Sequence, residues 1–108
     1  MTRDEHLYAI GAEEAVEVAQ RFTKALRFGG TEVQPGQDMD NRQRILYEFA
    51  DLLGTMELLG FNLGIGPLHP LRPWVDAKKA KVERFLGYSA ECGTLTLVSV
   101  SPEPPTEG

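Results

Sequence analysis

The chain has 108 residues, 42% of them hydrophobic and 25% charged, with a net charge of −5 at pH 7. That length fits one domain with a modest core, of the size that small helical proteins often complete by oligomerising. The negative balance argues against a non-specific grip on nucleic-acid phosphates, no stretch approaches the ~20 apolar residues that span a bilayer, and the lone Cys92 allows no internal disulfide, which suits a reducing cytoplasm.

The N-terminus, M-T-R-D-E-H, lacks the organisation of a signal peptide. Residues 1 to about 9 read as a polar lead-in. A first helix is expected from near Gly11 to Phe28, with Ala15, Val18, Ala19, Phe22, Ala25 and Leu26 as its apolar stripe. Glu14, Glu17, Arg21 and Lys24 occupy its other side. Gly29-Gly30 ends it in the usual C-terminal way. Residues 29–40 form a loop with a turn at Pro35-Gly36, and Asp40 with Gln43 three residues on reads as a capping box for the next helix.

Ile45 to Leu59 is the stretch around which the chain is organised. It is long enough for about four turns at ~3.6 residues each. Ile45, Phe49, Leu52, Leu53, Met56 and Leu59 make one apolar stripe, and Tyr47 and Leu58 make a smaller second patch that needs cover. A connector rich in Gly and Pro, Gly60 to Arg72, follows. A third helix is expected from Pro73 to about Leu86, stopped by Gly87, with Trp74, Val75, Val82, Phe85 and Leu86 on its apolar side. Thr94–Val100 is β-prone and is expected as a short C-terminal β segment. The acidic, Pro-rich residues 101–108 are expected to be a disordered tail. The expected fold is therefore all-α: one domain over residues 1–100, a small bundle of three main helices completed by self-association into a homodimer or homotetramer.

Two acidic pairs carry the chemistry. Glu48 and Asp51 lie three residues apart on one helix face, between the two apolar patches, and Glu14 and Glu17 repeat the arrangement on the first helix. If these helices pack antiparallel, the pairs can face each other. Four converging carboxylates repel unless cations neutralise them. Oxygen ligands without nearby His or Cys select Mg²⁺ or Mn²⁺ over zinc, and Mg²⁺ held by a few carboxylates commonly takes substrate phosphates as well. A nucleotide polyphosphate is therefore the expected partner. Basic groups to steady it are Arg21 and Lys24, four and seven residues after Glu17, and Lys78 and Lys81 on the third helix. Asn41 is a further candidate, for a phosphate or a metal-bound water.

Each feature has a plainer reading. A single acidic pair is common on a solvated helix. Arg21 is also an i, i+4 partner for Glu17, Lys78 can drape its stem over Trp74 and Phe85, and Asn41 can be an ordinary first-turn residue. His6 and His69 have no partner at metal spacing, Cys92 has no activating neighbour in sequence, and Trp74 reads more readily as a packing anchor than as a base-stacking platform.

The order E-x-x-E, loop, E-x-x-D, set within E-E-A-V-E-V-A-Q-R-F-T-K-A-L-R-F-G, then P-G-Q-D-M-D-N-R, then L-Y-E-F-A-D-L-L, resembles the MazG-like all-α nucleoside triphosphate pyrophosphohydrolase superfamily. It is similar to the short members often encoded by bacteriophages. The resemblance covers roughly Gly11 to Leu59, with K-K-A-K-V-E-R-F-L of the third helix adding to it. The spacing between the pairs is longer than in many relatives, and the extra length falls in the 29–40 loop. The resemblance implies Mg²⁺-dependent hydrolysis between the α- and β-phosphates, with Glu14, Glu17, Glu48 and Asp51 as metal ligands and a lysine at Lys24. Which group activates water stays open. The related phosphoribosyl-ATP pyrophosphohydrolase of histidine synthesis and a non-catalytic helical interaction module are the alternatives.

Overall fold

A computed structural model describes residues 1–64 and 66–96. These residues form three helices and no strand, so the expected all-α class holds. No helix among the described residues is long and apolar enough to cross a membrane. The chain divides into two compact units, one spanning Met1–Asn62 and one beginning at Leu63.

The first unit is a helical hairpin. Helix α1 runs Arg3–Phe28 and is about 39 Å long at 1.5 Å per residue. It starts earlier than the Gly11 expected from the apolar pattern, because Thr2 and Glu5 build a capping box. The Glu5 amide donates to Thr2 Oγ1 (3.1 Å) and the Thr2 amide donates to Glu5 Oε1 (2.7 Å). Hydrogen bonding from Thr2, its backbone amide first, holds the Glu5 carboxyl below its usual range. The expected end at Gly29 is found: its φ is +98°, and its amide donates to the Ala25 carbonyl.

Helix α2 runs Asn41–Leu58 and begins with the expected box at Asp40 and Gln43, whose two bonds measure 2.8 and 2.9 Å. The loop before it is tied down at both ends. Asn41, 1% exposed, donates its Nδ2 to the Gly29 carbonyl (2.8 Å) and to Glu32 Oε1 (2.9 Å). The Arg42 amide donates to the Gly30 carbonyl, and Arg44 Nη1 donates to Gln34 Oε1. These bonds bring the start of α2 beside the end of α1. At the opposite end of the hairpin, a Cβ added to Gly11 would lie 3.8 Å from Thr55 Cγ2. The helices therefore pack antiparallel, as the facing of the two acidic pairs requires.

The seam between them departs from the apolar stripes read from the sequence. On α1 the buried or half-buried positions include Leu7, Gly11, Glu14, Val18, Arg21 and Ala25; on α2 they include Asn41, Ile45, Glu48, Leu52, Thr55 and Met56. The α1 set, and the α2 set up to Thr55, follow the alternating three- and four-residue steps of a coiled-coil seam. Ala15, Ala19, Phe22 and Leu26, expected on the buried stripe of α1, are exposed, and so are Phe49, Tyr47 and Leu58 on α2. Leu7 is the one buried hydrophobic residue among those described; Asn41 and Thr55 are buried polar ones.

The second unit, from Leu63, carries helix α3, Arg72–Glu91. His69 shapes the approach by accepting the Leu71 amide on Nδ1 (3.1 Å). Pro73 sits in the first turn as expected, and Arg72 grips Asp76 through two bonds of 2.7 and 3.0 Å to one oxygen. The helix continues through the expected stop at Gly87. One interior glycine costs about 1 kcal/mol and does not end a helix; the chain turns at Gly93, with φ +80°. No α3 residue is buried, and Trp74, expected as a packing anchor, is 73% exposed. Thr94 and Leu95 donate their amides to the Ser89 carbonyl, closing the helix end. The rest of the expected β segment, residues 97–100, and the expected tail, residues 101–108, lie outside the described residues.

Candidate metal centre

Three of the four carboxylates singled out in the sequence meet at the seam. One oxygen from each of Glu14, Glu17 and Glu48 lies within 4.8 Å of the other two. Helix periodicity places Glu14 and Glu17 one turn apart on α1, and the capped, clamped start of α2 sets the register that brings Glu48 to them. Asp51 is not in that trio and is exposed. Its charge nevertheless reaches both Glu14 and Glu48.

The electrostatics of the trio are unfavourable for three free carboxylates. Desolvation, followed by the charges of Asp51, Glu17 and Glu13, pushes the Glu14 carboxyl above its ordinary range. Glu48 is raised first by desolvation, then by the nearby Glu17 carboxyl and the charge of Asp51; Arg21 pulls the other way. The helices thus hold negative groups together in an arrangement that a proton or a cation relieves.

The donor set fits a hard divalent cation. All the donors are oxygens, and Glu17 is exposed, which leaves the cluster open to water and to a ligand. An octahedral Mg²⁺ with donors at about 2.1 Å places adjacent oxygens about 3 Å apart and opposite ones about 4.2 Å apart, so the three carboxylates would draw closer together to share one ion.

Arg21 lies in the same seam. Its Nε is 3.9 Å from Glu48 Oε1, with the two side chains 17% and 14% exposed, so this ion pair runs across the hairpin. Its Nη1 is buried and has no hydrogen-bond partner. Lys24, one turn further along α1, is half-buried. Asn41 is committed to the loop: both donor bonds of its amide are used within the chain, while its Oδ1 is buried and unpaired. Lys78 and Lys81 are exposed on α3, and it is Lys81, not Lys78, whose ammonium is found over the Phe85 ring, at 6.0 Å.

The sequence reading missed Glu32, the second acceptor for the Asn41 amide, and the burial of Arg21. An Asn directly after an Asp N-cap, with an acidic residue in the preceding loop, is the signal that was present for the first. Against known proteins, no family model, no curated protein and no solved structure matches this chain.

Proposed function

We propose that this chain is a Mg²⁺-dependent nucleoside triphosphate pyrophosphohydrolase of the MazG-like kind, cleaning or rebalancing a nucleotide pool in the cytoplasm. One observation carries the reading: carboxylates from two helices converge within 4.8 Å, at the positions where the resemblance expects metal ligands. Water adds at a phosphorus of the α–β anhydride, that P–O bond breaks, and the products are a nucleoside monophosphate and pyrophosphate.

Glu14, Glu17 and Glu48 would hold the ion, with Asp51 beside them. When bound, Mg²⁺, or Mn²⁺ in its place, supplies charge neutralisation at the phosphate oxygens and acidifies water. One of these carboxylates, or water acidified by the ion, would activate the attacking water. Arg21 and Lys24 project from the same helix as the first acidic pair, where they can meet phosphate charge. Lys78 and Lys81 remain candidates for the same task. Asn41, whose amide is engaged by Gly29 and Glu32, serves by holding the hairpin closed.

The exposed apolar side chains support the homodimer or homotetramer expected from the sequence. Phe22, Leu26, Tyr47 and Leu58 are 59%, 86%, 58% and 60% exposed, more than a lone hairpin of this size gains by displaying. Light scattering on the purified protein would return a monomer mass if this is wrong.

The deciding experiment is a pyrophosphate-release screen over standard and modified triphosphates and phosphoribosyl-ATP, with and without Mg²⁺, beside Glu48→Gln. Turnover of a triphosphate that requires Mg²⁺ and is lost in a folded Glu48→Gln is expected. Phosphoribosyl-ATP as the sole substrate would move the protein to the histidine-pathway alternative. No Mg²⁺ binding and no pyrophosphate from any substrate would leave a helical interaction module.

A further inference from the structure

We infer that Arg21 is the resident counter-charge of the acidic cluster, and that a divalent ion and the Arg21 guanidinium compete for Glu48. The inference rests on the proposed function for the identity of the ion, but its logic is in the hairpin. Three carboxylates gather within 4.8 Å, and Arg21 is the cation that the structure pairs with one of them, Glu48. It does so without hydrogen-bond geometry, at 3.9 Å, and with Nη1 buried and unpartnered. A guanidinium normally seats a carboxylate through two parallel N–H bonds. Here it stands at ion-pair range and keeps donors in reserve.

Charge arithmetic gives the consequence. One guanidinium leaves three carboxylates under-neutralised, so the cluster still attracts a divalent ion. Once that ion is present, Glu48 is shared with a second cation and its hold on Arg21 weakens. Arg21 then has its buried, unpartnered Nη1 and a weaker attraction to Glu48, which suits it to an anionic oxygen. A polyphosphate meets that need. The ion would thus prepare the arginine for phosphate, which couples the binding of the two ligands reciprocally.

Three proteins and two readouts test this. Arg21→Met keeps the aliphatic stem and removes the charge; Lys24→Met removes the same charge one helical turn away. Titration of each with Mg²⁺ by calorimetry, and with Mn²⁺ by electron paramagnetic resonance, is expected to give at least about fivefold tighter binding for Arg21→Met and less than about twofold change for Lys24→Met, fivefold being about 1 kcal/mol of coupling. In the unaltered protein, the Arg21 Nε–Hε resonance, assigned by its loss in Arg21→Met, is expected to shift as Mg²⁺ is added, and to shift again with inorganic triphosphate. Equal or weaker ion binding by folded Arg21→Met overturns the inference. So does an Arg21 resonance that ignores the ion, and this readout decides alone if Arg21→Met does not fold. Ion binding with the expected coupling but no nucleotide turnover would sink the proposed function and leave the inference standing; no ion binding by the unaltered protein would end both.

Discussion

The α1–α2 hairpin and the unit around α3 use their amphipathic faces in different ways. In the hairpin, the positions that close on each other include Glu14, Arg21, Glu48, Asn41 and Thr55, while Phe22 and Leu26 stay outside. In the second unit, the apolar side of α3 is clear in the sequence, yet Trp74, Val75, Val82, Phe85 and Leu86 all remain exposed and no residue of the helix is buried. A seam of charged and polar groups is a poor source of stability, because each such group must be matched or must bear a desolvation cost. The hairpin accepts that cost at one place, where the carboxylates meet. α3 carries no comparable cluster among the described residues. The difference teaches that in this chain charge and polar groups are gathered in the hairpin seam, while much of the apolar surface on all three helices is left exposed.

The sharpest way to break the comparison is Glu48→Gln. The change removes one charge from the trio without altering shape. It is expected to lower kcat for triphosphate hydrolysis by at least about 100-fold, or ~2.7 kcal/mol, while circular dichroism stays unchanged and the metal-free protein unfolds no more easily. Full activity in a folded variant would mean that the seam charges are incidental.

Next in size is Asn41→Ala. It deletes two hydrogen bonds at a 1% exposed position, taking the Asn41 donor from Glu32 Oε1 and leaving the Gly29 carbonyl only the longer bond from the Glu32 amide, 3.4 Å. A loss of about 2–3 kcal/mol is expected from urea unfolding. Asn41→Asp should cost at least as much, because it places a carboxylate against Glu32 and a carbonyl. If Asn41 were instead a phosphate ligand only, stability would hold and KM alone would rise.

The pH dependence separates the seam carboxylates from the cap and surface carboxylates by sign. Glu14 and Glu48 have folded values above their unfolded ones. At these two groups the folded hairpin binds more protons than the unfolded chain, so their contribution to metal-free stability is least unfavourable near and below the unfolded carboxyl value, ~4.3, and turns against the fold as pH rises through the raised values. Asp76 on α3 and Glu5 at the α1 cap are lowered and act oppositely: their contribution is present above the unfolded value and is lost as pH falls through the folded one. Melting curves between pH 4.5 and 7.5 in EDTA should show the unaltered protein losing more stability than Glu48→Gln as pH rises. Parallel slopes for the two proteins would remove Glu48 from the account.

These outcomes bear on what was legible in the sequence. Punctuation was readable where one residue has one conformational job: Asp40 with Gln43, Gly29, and Pro73 all sit where expected. The Thr2-Glu5 box was present in the sequence but passed over, because the apolar pattern begins later. The partner face was not readable from hydrophobicity. Counting apolar residues assigns the broadest stripe to the nearest helix, yet the register here is fixed by Asn41 and the loop, which turn Ala15, Ala19, Phe22 and Leu26 outward. The acidic pairs were found because their spacing carries chemistry, and three of their four carboxylates meet, while the exposed position of Asp51 depends on rotation about the α2 axis that spacing alone does not fix.

The smallest effect belongs to glycines inside helices. Gly54 in α2 and Gly87 in α3 each have nothing within 4 Å of an added Cβ and neither has positive φ. Replacing either by alanine reduces the freedom of the unfolded chain and improves helix propensity, for an expected gain of about 0.5–1 kcal/mol. Hydrogen exchange reads where the gain lands. If the hairpin is the more stable unit, Gly54→Ala slows α2 amides by about two- to fivefold with α3 unchanged, and Gly87→Ala slows α3 amides alone. Equal protection of both helices by either substitution would mean that the two units unfold as one, and the contrast between a seam built for charge and a helix with nothing buried would then be one of composition, not of independent stability.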